Sequence, residues 1–485
     1  MELHEIPFKR RFSVNLYRNL ELKMGEMSLY KDWVHTDRGD PYPVLERIGC
    51  PEESIARNRY TVQAGQGGSV RRLLGSYFPW NSYELRLTDF CNASAGLVLE
   101  SAVGRFSVIF DSAGNVCVQD GEGMRQFPGS RPAKGWTVAF HGTAVSIYRQ
   151  CDAADELVAD VGSDLLSALR REELFRSATV SLWIAVQPGG LCRLHMVRWF
   201  LSVGISQADL KPIRYEDGTP MLQNGRLYLT VSSRCESGCF QSVLSWAPTA
   251  CDFRLEGALF FDSGDGLWCP DVASSILYDR NSRKWLLWVC SFSHGHVLGH
   301  AELQADPRFG IQVVDIRLMK SQAQAGSTAF YAVENDEDPD LILVNGIWHL
   351  AICRVGTDGK YHYHHFISES GPFDGFRFVD QTPGGEKTGG MFVRFGDRVC
   401  FVCGSDFKRR AVYDVYPLSD FTHCEHLQCN YDDGGFRGWG TVMELPCGTR
   451  RCWVWLTFDR HNGSAWNWSY GNLYVYDSGT FPLLT

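Results

Sequence analysis

Leu267-Trp-Cys-Pro-Asp-Val-Ala-Ser-Ser-Ile-Leu-Tyr-Asp-Arg-Asn-Ser-Arg-Lys-Trp-Leu-Leu-Trp288 is the stretch whose reading decides the fold. An acid follows a proline, an apolar strand runs on from it, a polar turn reverses the chain, and an aromatic strand returns. The same unit recurs at Asp217 to Leu229, Asp338 to Leu350, Gly389 to Phe401 and Gly440 to Trp455. The spacing is roughly 50 to 60 residues, the period of a propeller blade with its loops. Five units predict a five-bladed β-propeller over 213–485, each hairpin forming the two inner strands of a blade. Ser206 to Ile213, with Pro212, reads as a linker before it.

Upstream, the period changes to two. Tyr83-Glu-Leu-Arg-Leu87, Phe106-Ser-Val-Ile-Phe110, Trp136 to Phe140, Ala144 to Tyr148, Val180 to Val186 and Cys192 to Trp199 alternate between Gly-rich turns. That pattern predicts a β-sandwich over 59–205, interrupted by a helical insert near Ser163 to Arg176. Its order of strands resembles the concanavalin-like sandwiches found beside carbohydrate-active domains. Residues 1–58 lack periodicity and are expected as an extended arm. The fold class expected is therefore all-β.

The chain has 485 residues and a net charge of -9 without basic blocks, which argues against a nucleic-acid partner. The apolar run Trp285 to Cys290 is too short to span a bilayer, and no membrane partner is expected. Its 17 cysteines are odd in number and lack framework spacing, so free thiols in the cytoplasm are expected.

The first residues of a propeller's inner strands converge on one funnel. Here those positions carry Glu216, Asp217, Asp271, Asp336, Glu337, Asp338 and Glu386. Crowded carboxylates push one another's pKa values apart, and glycosidic bond cleavage needs that split between an acid and a base.

Trp-Cys-Pro-Asp271 with its strand and return resembles the Trp-Ala-Pro-Asp blade of glycoside hydrolase family 43 and its relatives. Asp338-Pro-Asp-Leu-Ile, with Asn345-Gly-Ile-Trp-His-Leu350, resembles that family's third-blade Asp-Pro motif. Asp217 and Glu386 stand where its first-blade Asp and fourth-blade Glu stand. The resemblance implies Asp217 as general base or nucleophile, Asp338 as the residue that orients the acid and tunes its pKa, Glu386 as general acid, and Asp271 in the sugar subsite. Glu216 competes with Asp217, and Glu337 is the alternative acid. Gly218-Thr219 after Asp217, and Lys387-Thr388 after Glu386, depart from the family's pattern.

Trp268, Trp439, Trp466 and Trp468 are candidate sugar platforms, and Arg437 could hold a hydroxyl or carboxylate. Trp285, Trp288, Trp453 and Trp455 lie in strands and read as blade packing. His362, His364 and His365, and His423-Cys-Glu-His426 with Cys429, lack a complete ligand set, so no metal and no cofactor are expected. The expected activity is exo-hydrolysis of small oligosaccharides, with furanosides or xylosides as the implied substrates. A retaining fructosidase or fructosyltransferase, and a non-catalytic sugar-binding propeller, are the alternatives. The sandwich could bind sugar, close the funnel or form a homo-oligomer interface.

Overall fold

The computed structural model describes residues 6–15, 20–35, 39–129, 131–152, 155–204, 206–234, 238–319, 335–404, 412–428, 437–447, 450–458 and 472–479. The chain divides into two compact units, 1–21 with 203–235 and 239–485, and 22–202 with 236–238.

The first unit is a five-bladed β-propeller. Blade one is built from Ser206–Pro212, Arg226–Arg234, Cys239–Ala247 and Asp252–Asp262, with Gly310–Asp315 added parallel at its edge. Blade two comprises Val272–Asp279, Lys284–Ser291, Val297–Leu303 and Arg317–Leu318, and the short strand Arg214–Tyr215 lies parallel to its inner strand. Blade three is Glu337–Val344, Ile347–Val355, Tyr361–Ser368 and Arg377–Gln381. Blade four is Thr388–Phe395, Arg398–Gly404, Val412–Pro417 and Glu425–Gln428. Blade five takes Arg437–Cys447, Arg450–Phe458 and Asn472–Asp477 from the end of the chain, and its outer strand Lys9–Asn15 from the start. That pairing closes the ring. Phe8 seals it edge-on against Trp455, with ring centroids 5.3 Å apart.

Four of the five seams between neighbouring blades are filled by apolar layers. Val243, Phe261, Ile276 and Leu287 fill the seam between blades one and two. Leu286, Trp288, Leu350 and Phe366 fill the next. Phe392, Phe401, Tyr363 and Phe421 fill the third, and Met391, Val415, Trp455 and Tyr476 the fourth. The strand tryptophans Trp285, Trp288, Trp453 and Trp455 are all buried.

Three expectations are corrected here. Ser206–Pro212 is no linker but the inner strand of blade one, buried along its whole length. Its polar side chains line the axis, so Ala208 and Leu210 leave only a faint trace of apolar alternation. The blade therefore begins about ten residues earlier than its hairpin suggests. Second, residues 1–58 are not an arm: Lys9–Asn15 belongs to blade five, while Glu21–Glu26, Val44–Gly49 and Glu52–Ala56 join the strands of the second unit. Third, Val180 to Val186 and Cys192 to Trp199 are not two strands of a hairpin. They form one strand, Thr179–Ser202, whose pairing slips between Val186 and Leu191 where Gly189 sits at φ +70°. The turn residues bend the strand instead of reversing it.

The second unit is all-β around one apolar core, with two short helices, Asp164–Ala168 and Glu172–Phe175, where the helical insert was expected. The long strands Ser82–Ser101 and Thr179–Ser202 pair with each other and with two different sets of neighbours along their lengths.

Candidate active site

The inner strands of four blades carry the same irregularity near their starts. Pairing slips between Ala208 and Lys211, Val272 and Ser275, Glu337 and Asp340, and Thr388 and Met391. At each bulge one residue has positive φ: Asp209 (+52°), Ala273 (+59°), Asp338 (+48°) and Gly389 (+63°). A bulge re-aims a side chain that a regular strand would point into a seam. Asp209 and Asp338 therefore occupy equivalent positions in blades one and three, both buried at the funnel. A left-handed aspartate is tolerated where a bulkier residue is strained.

Around these two gathers a set of acids. The Cys290 thiol is raised by burial and then by the charges of Glu337, Asp338, Asp271 and Asp336. The Cys239 thiol is raised by burial, with Asp271 and Asp209 adding to it and Arg234 opposing. The thiols also link blades: Cys290 Sγ donates to Asp336 O (3.3 Å) and Cys353 Sγ to Lys387 O (3.0 Å), in each case across to the next blade.

Each acid has its own environment. Asp336 is locked to Arg354, with Nε to Oδ1 at 2.6 Å and Nη2 to Oδ2 at 2.9 Å. Asp338 accepts from Gly389 N (2.9 Å) and from the Tyr363 hydroxyl (3.5 Å). Glu337 Oε1 meets His296 Nδ1 (3.1 Å) and the Tyr361 hydroxyl (3.3 Å), while Oε2 has no hydrogen-bond partner among the described residues. Burial, and then the charge of Asp338, pushes Glu337 up to about 8. The same two causes push Asp209 up to about 6, with Arg234, 3.8 Å away, opposing. Both carboxyls are thus raised, Glu337 further than Asp209, which is the split an acid and a base require.

Beneath the acids the axis is filled. Lys211 Nζ donates to Pro339 O (2.9 Å). Arg214 Nη2 grips both oxygens of Asp340 at 2.7 and 2.8 Å, and that carboxylate also accepts from Ser275 Oγ (2.8 Å) and Phe392 N (2.7 Å). Asp340 and Arg214 are both fully buried. The funnel is thus closed below.

The structure brings Asp271, Glu337 and Asp338 together and adds Asp209, which sequence reasoning missed. The alternation of Ala208 and Leu210, both fully buried, was the one signal that Ser206–Pro212 is a strand. Asp217 is not among them. It lies in the turn after blade one's inner strand, at the opposite end of the propeller, where its Oδ1 accepts from Thr219 N (2.9 Å) and its Oδ2 pairs with Arg280 (2.8 Å). Burial acts to raise Asp217, but these bonds outweigh it and hold the carboxyl below its usual range. Glu216 is bound there by the same Arg280. Glu386 precedes blade four's inner strand in the left-handed conformation (φ +65°), half-buried. Trp268 is half-buried beside Cys269. The backbone of Arg437 and Trp439 opens blade five's inner strand, but their side chains, with Trp466, Trp468 and Cys429, lie outside the described residues.

A five-bladed β-propeller with a cluster of acids at the starts of its inner strands is the class that fold and site define. No family model matches the chain, and no curated protein matches it. Among solved structures it is remotely similar to five-bladed propeller glycoside hydrolases. The family 117 glycoside hydrolase of the marine bacterium Zobellia galactanivorans shares 12% identity over 56% of this chain and 84% of that one, at a TM-score of 0.39. The catalytic domain of the Coprinopsis cinerea family 62 alpha-L-arabinofuranosidase shares 12% over 56% and 90%, at 0.38. Bacillus subtilis levansucrase shares 10% over 56% and 83%, at 0.37. The propeller itself rests on the strand pairing above. No helix among the described residues is long and apolar enough to cross a membrane.

Proposed function

We propose that the propeller is a glycoside hydrolase, with Glu337 as general acid and Asp209 as general base or nucleophile. The observation that carries this reading is the split pair: buried Asp209 of blade one and half-buried Glu337 of blade three, pushed to about 6 and about 8 beside Asp338. Glu337 arrives protonated and gives its proton to the glycosidic oxygen. Asp209 arrives ionised and either takes a proton from water or attacks the anomeric carbon. Burial, and then the charge of Asp338, keeps both pKa values high. Asp271, held by Ser291 Oγ (2.7 Å) and Ser293 N (3.0 Å), lines the wall. A funnel blocked by Arg214 and Asp340 suits a chain end, so exo action on a terminal furanoside or xyloside is part of the proposal. The cytoplasm is the proposed compartment, in keeping with the lack of a disulfide among the described cysteines. For the second unit we keep the concanavalin-like sandwich as a proposal, supported by the two sets of strands that share its long pair.

The test is a panel of nitrophenyl furanosides and xylosides with short oligosaccharides. Asp209→Asn is expected to reduce kcat by roughly a hundredfold or more, whereas Asp217→Asn stays within a factor of about three, since a partly exposed turn carboxylate contributes little. The reverse ranking would return the base to Asp217. Absence of hydrolysis of every member of the panel, alongside sugar binding, would favour a lectin.

The pH profile follows from the same pair. Activity rises as Asp209 ionises through about 6 and falls as Glu337 loses its proton through about 8. Initial rates from pH 5 to 9 should give a bell with its maximum near 7. A profile still rising at pH 9 excludes Glu337 as the acid.

A further inference from the structure

We infer that Cys269, Asp271 and His294, at the entrance to blade two, bind one divalent transition-metal ion, zinc above all, with a fourth position open to water. The three residues each offer one ligand atom, a thiol sulfur, a carboxylate oxygen and a ring nitrogen, and these atoms all lie within 4.8 Å of one another. A tetrahedral zinc with bonds of about 2.0–2.3 Å asks for ligands roughly 3–4 Å apart, a modest tightening of this arrangement. Cys269 and Asp271 flank Pro270, two residues apart on extended chain, so both side chains point the same way. His294 reaches them from the short 3-10 turn Phe292–His294.

Charge favours a cation at this point. Cys269 and Asp271 are buried. Asp336, Asp340 and Asp414 are paired with Arg354, Arg214 and Lys387, whereas buried Asp262, Asp279 and Asp338 are held by backbone N–H groups and hydroxyls. No Lys or Arg among the described residues pairs with Asp271, whose carboxylate is met only by the Ser291 hydroxyl and Ser293 N. A thiolate and a carboxylate together carry the charge that a divalent ion neutralises, and an uncompensated buried carboxylate is costly. Sulfur with imidazole selects zinc or cobalt over magnesium or calcium.

The surroundings are built to orient the ligands. Ser291 Oγ bridges Asp271 Oδ2 (2.7 Å) and His294 Nδ1 (2.8 Å), and Ser263 Oγ meets His294 Nε2 (2.9 Å). Whichever ring nitrogen binds the ion, a serine hydroxyl holds the other and fixes the tautomer. A second cluster, Asp414, Cys424 and His426, has similar chemistry. There the Lys387 ammonium already sits on Asp414, and the cation's place is taken.

This site goes beyond the proposed hydrolysis, and its test needs no activity. The full-length protein, reduced and freed of metal by chelator, is titrated with cobalt(II) and followed by absorbance. One equivalent should bind with a thiolate-to-cobalt charge-transfer band in the near ultraviolet. Cys269→Ser should abolish the band, and His294→Gln, a partly exposed position, should weaken binding at least tenfold. Cys424→Ser should leave the band intact. Zinc should displace the cobalt and be retained near one equivalent after desalting. Absence of the band in the unmodified protein overturns the assignment. So does its survival in Cys269→Ser, its loss in Cys424→Ser, or unweakened binding by folded His294→Gln.

Discussion

Glu337→Gln is expected to lower kcat/KM on unactivated oligosaccharides by roughly a thousandfold, within the 10²–10⁴ that a positioned general acid supplies. The amide keeps the shape and the contacts of Oε1 to His296 and Tyr361 but has no proton to give. Nitrophenol leaves without protonation, so the same variant should lose far less on nitrophenyl glycosides. That split separates a lost acid from a disturbed pocket, which would depress both substrates alike. Equal losses on both, or a loss under tenfold on the oligosaccharide, would remove Glu337 from the role. A second readout is stability. The unfolded carboxyl releases its proton near 4.5, while the folded one keeps it up to about 8. The native state therefore binds the proton more tightly across that interval, and the protein loses stability as pH climbs through it. The amide of the variant does not titrate. The variant should match the parent in acid and exceed it at pH 8 and above, measured by denaturant midpoints. The site would then be an instance of stability given up for chemistry.

Asp340→Ala should have the largest effect on folding. It leaves the Arg214 guanidinium buried without its carboxylate and strips partners from Ser275 Oγ and Phe392 N. Removing one member of a buried ion pair costs about 3–5 kcal/mol, because the other charge remains out of water. Here the pair joins blades two, three and four, so the loss should appear in the unfolding of the whole propeller. The informative companion is Arg214→Met combined with Asp340→Leu, which replaces the pair by apolar volume and should restore most of the stability. Urea unfolding followed by tryptophan fluorescence measures both. A single variant within about 1 kcal/mol of the parent would mean that the axis is wet and the pair solvated.

How much of this was legible in the sequence depends on what each strand faces. Blades two to four were readable because an acid opens each of the first two and a glycine pair the third, and apolar strands buried on both faces follow, as in Val272–Asp279 and Glu337–Val344. Blade one was misplaced because its inner strand, Ser-Gln-Ala-Asp-Leu-Lys-Pro, lines the polar axis and is buried without being apolar. The choice of Asp217 over Asp209 follows from that error alone. Glu337 was visible only as the alternative acid, since nothing local reveals that Asp338, its neighbour in the chain, and Asp209, far from it in the chain, meet beside it. The role of Lys9–Asn15 was beyond reach for the same reason: pairing with Asn472–Asp477 leaves no trace in either segment.

That pairing has a consequence for how the protein is made. The strand Lys9–Asn15 is synthesised long before its partner Asn472–Asp477, with the entire second unit and four blades between them. Contacts so distant in the chain form late and slowly. The second unit can complete its core on the ribosome while the propeller is still an open ring, with the seam beside Trp455 exposed and a ready edge on Asn472–Asp477. During that interval the edge can pair with Lys9–Asn15 of another molecule as readily as with its own. Expression at high concentration should therefore yield strand-exchanged dimers, and slowing synthesis or lowering temperature should shift the product toward closed monomers.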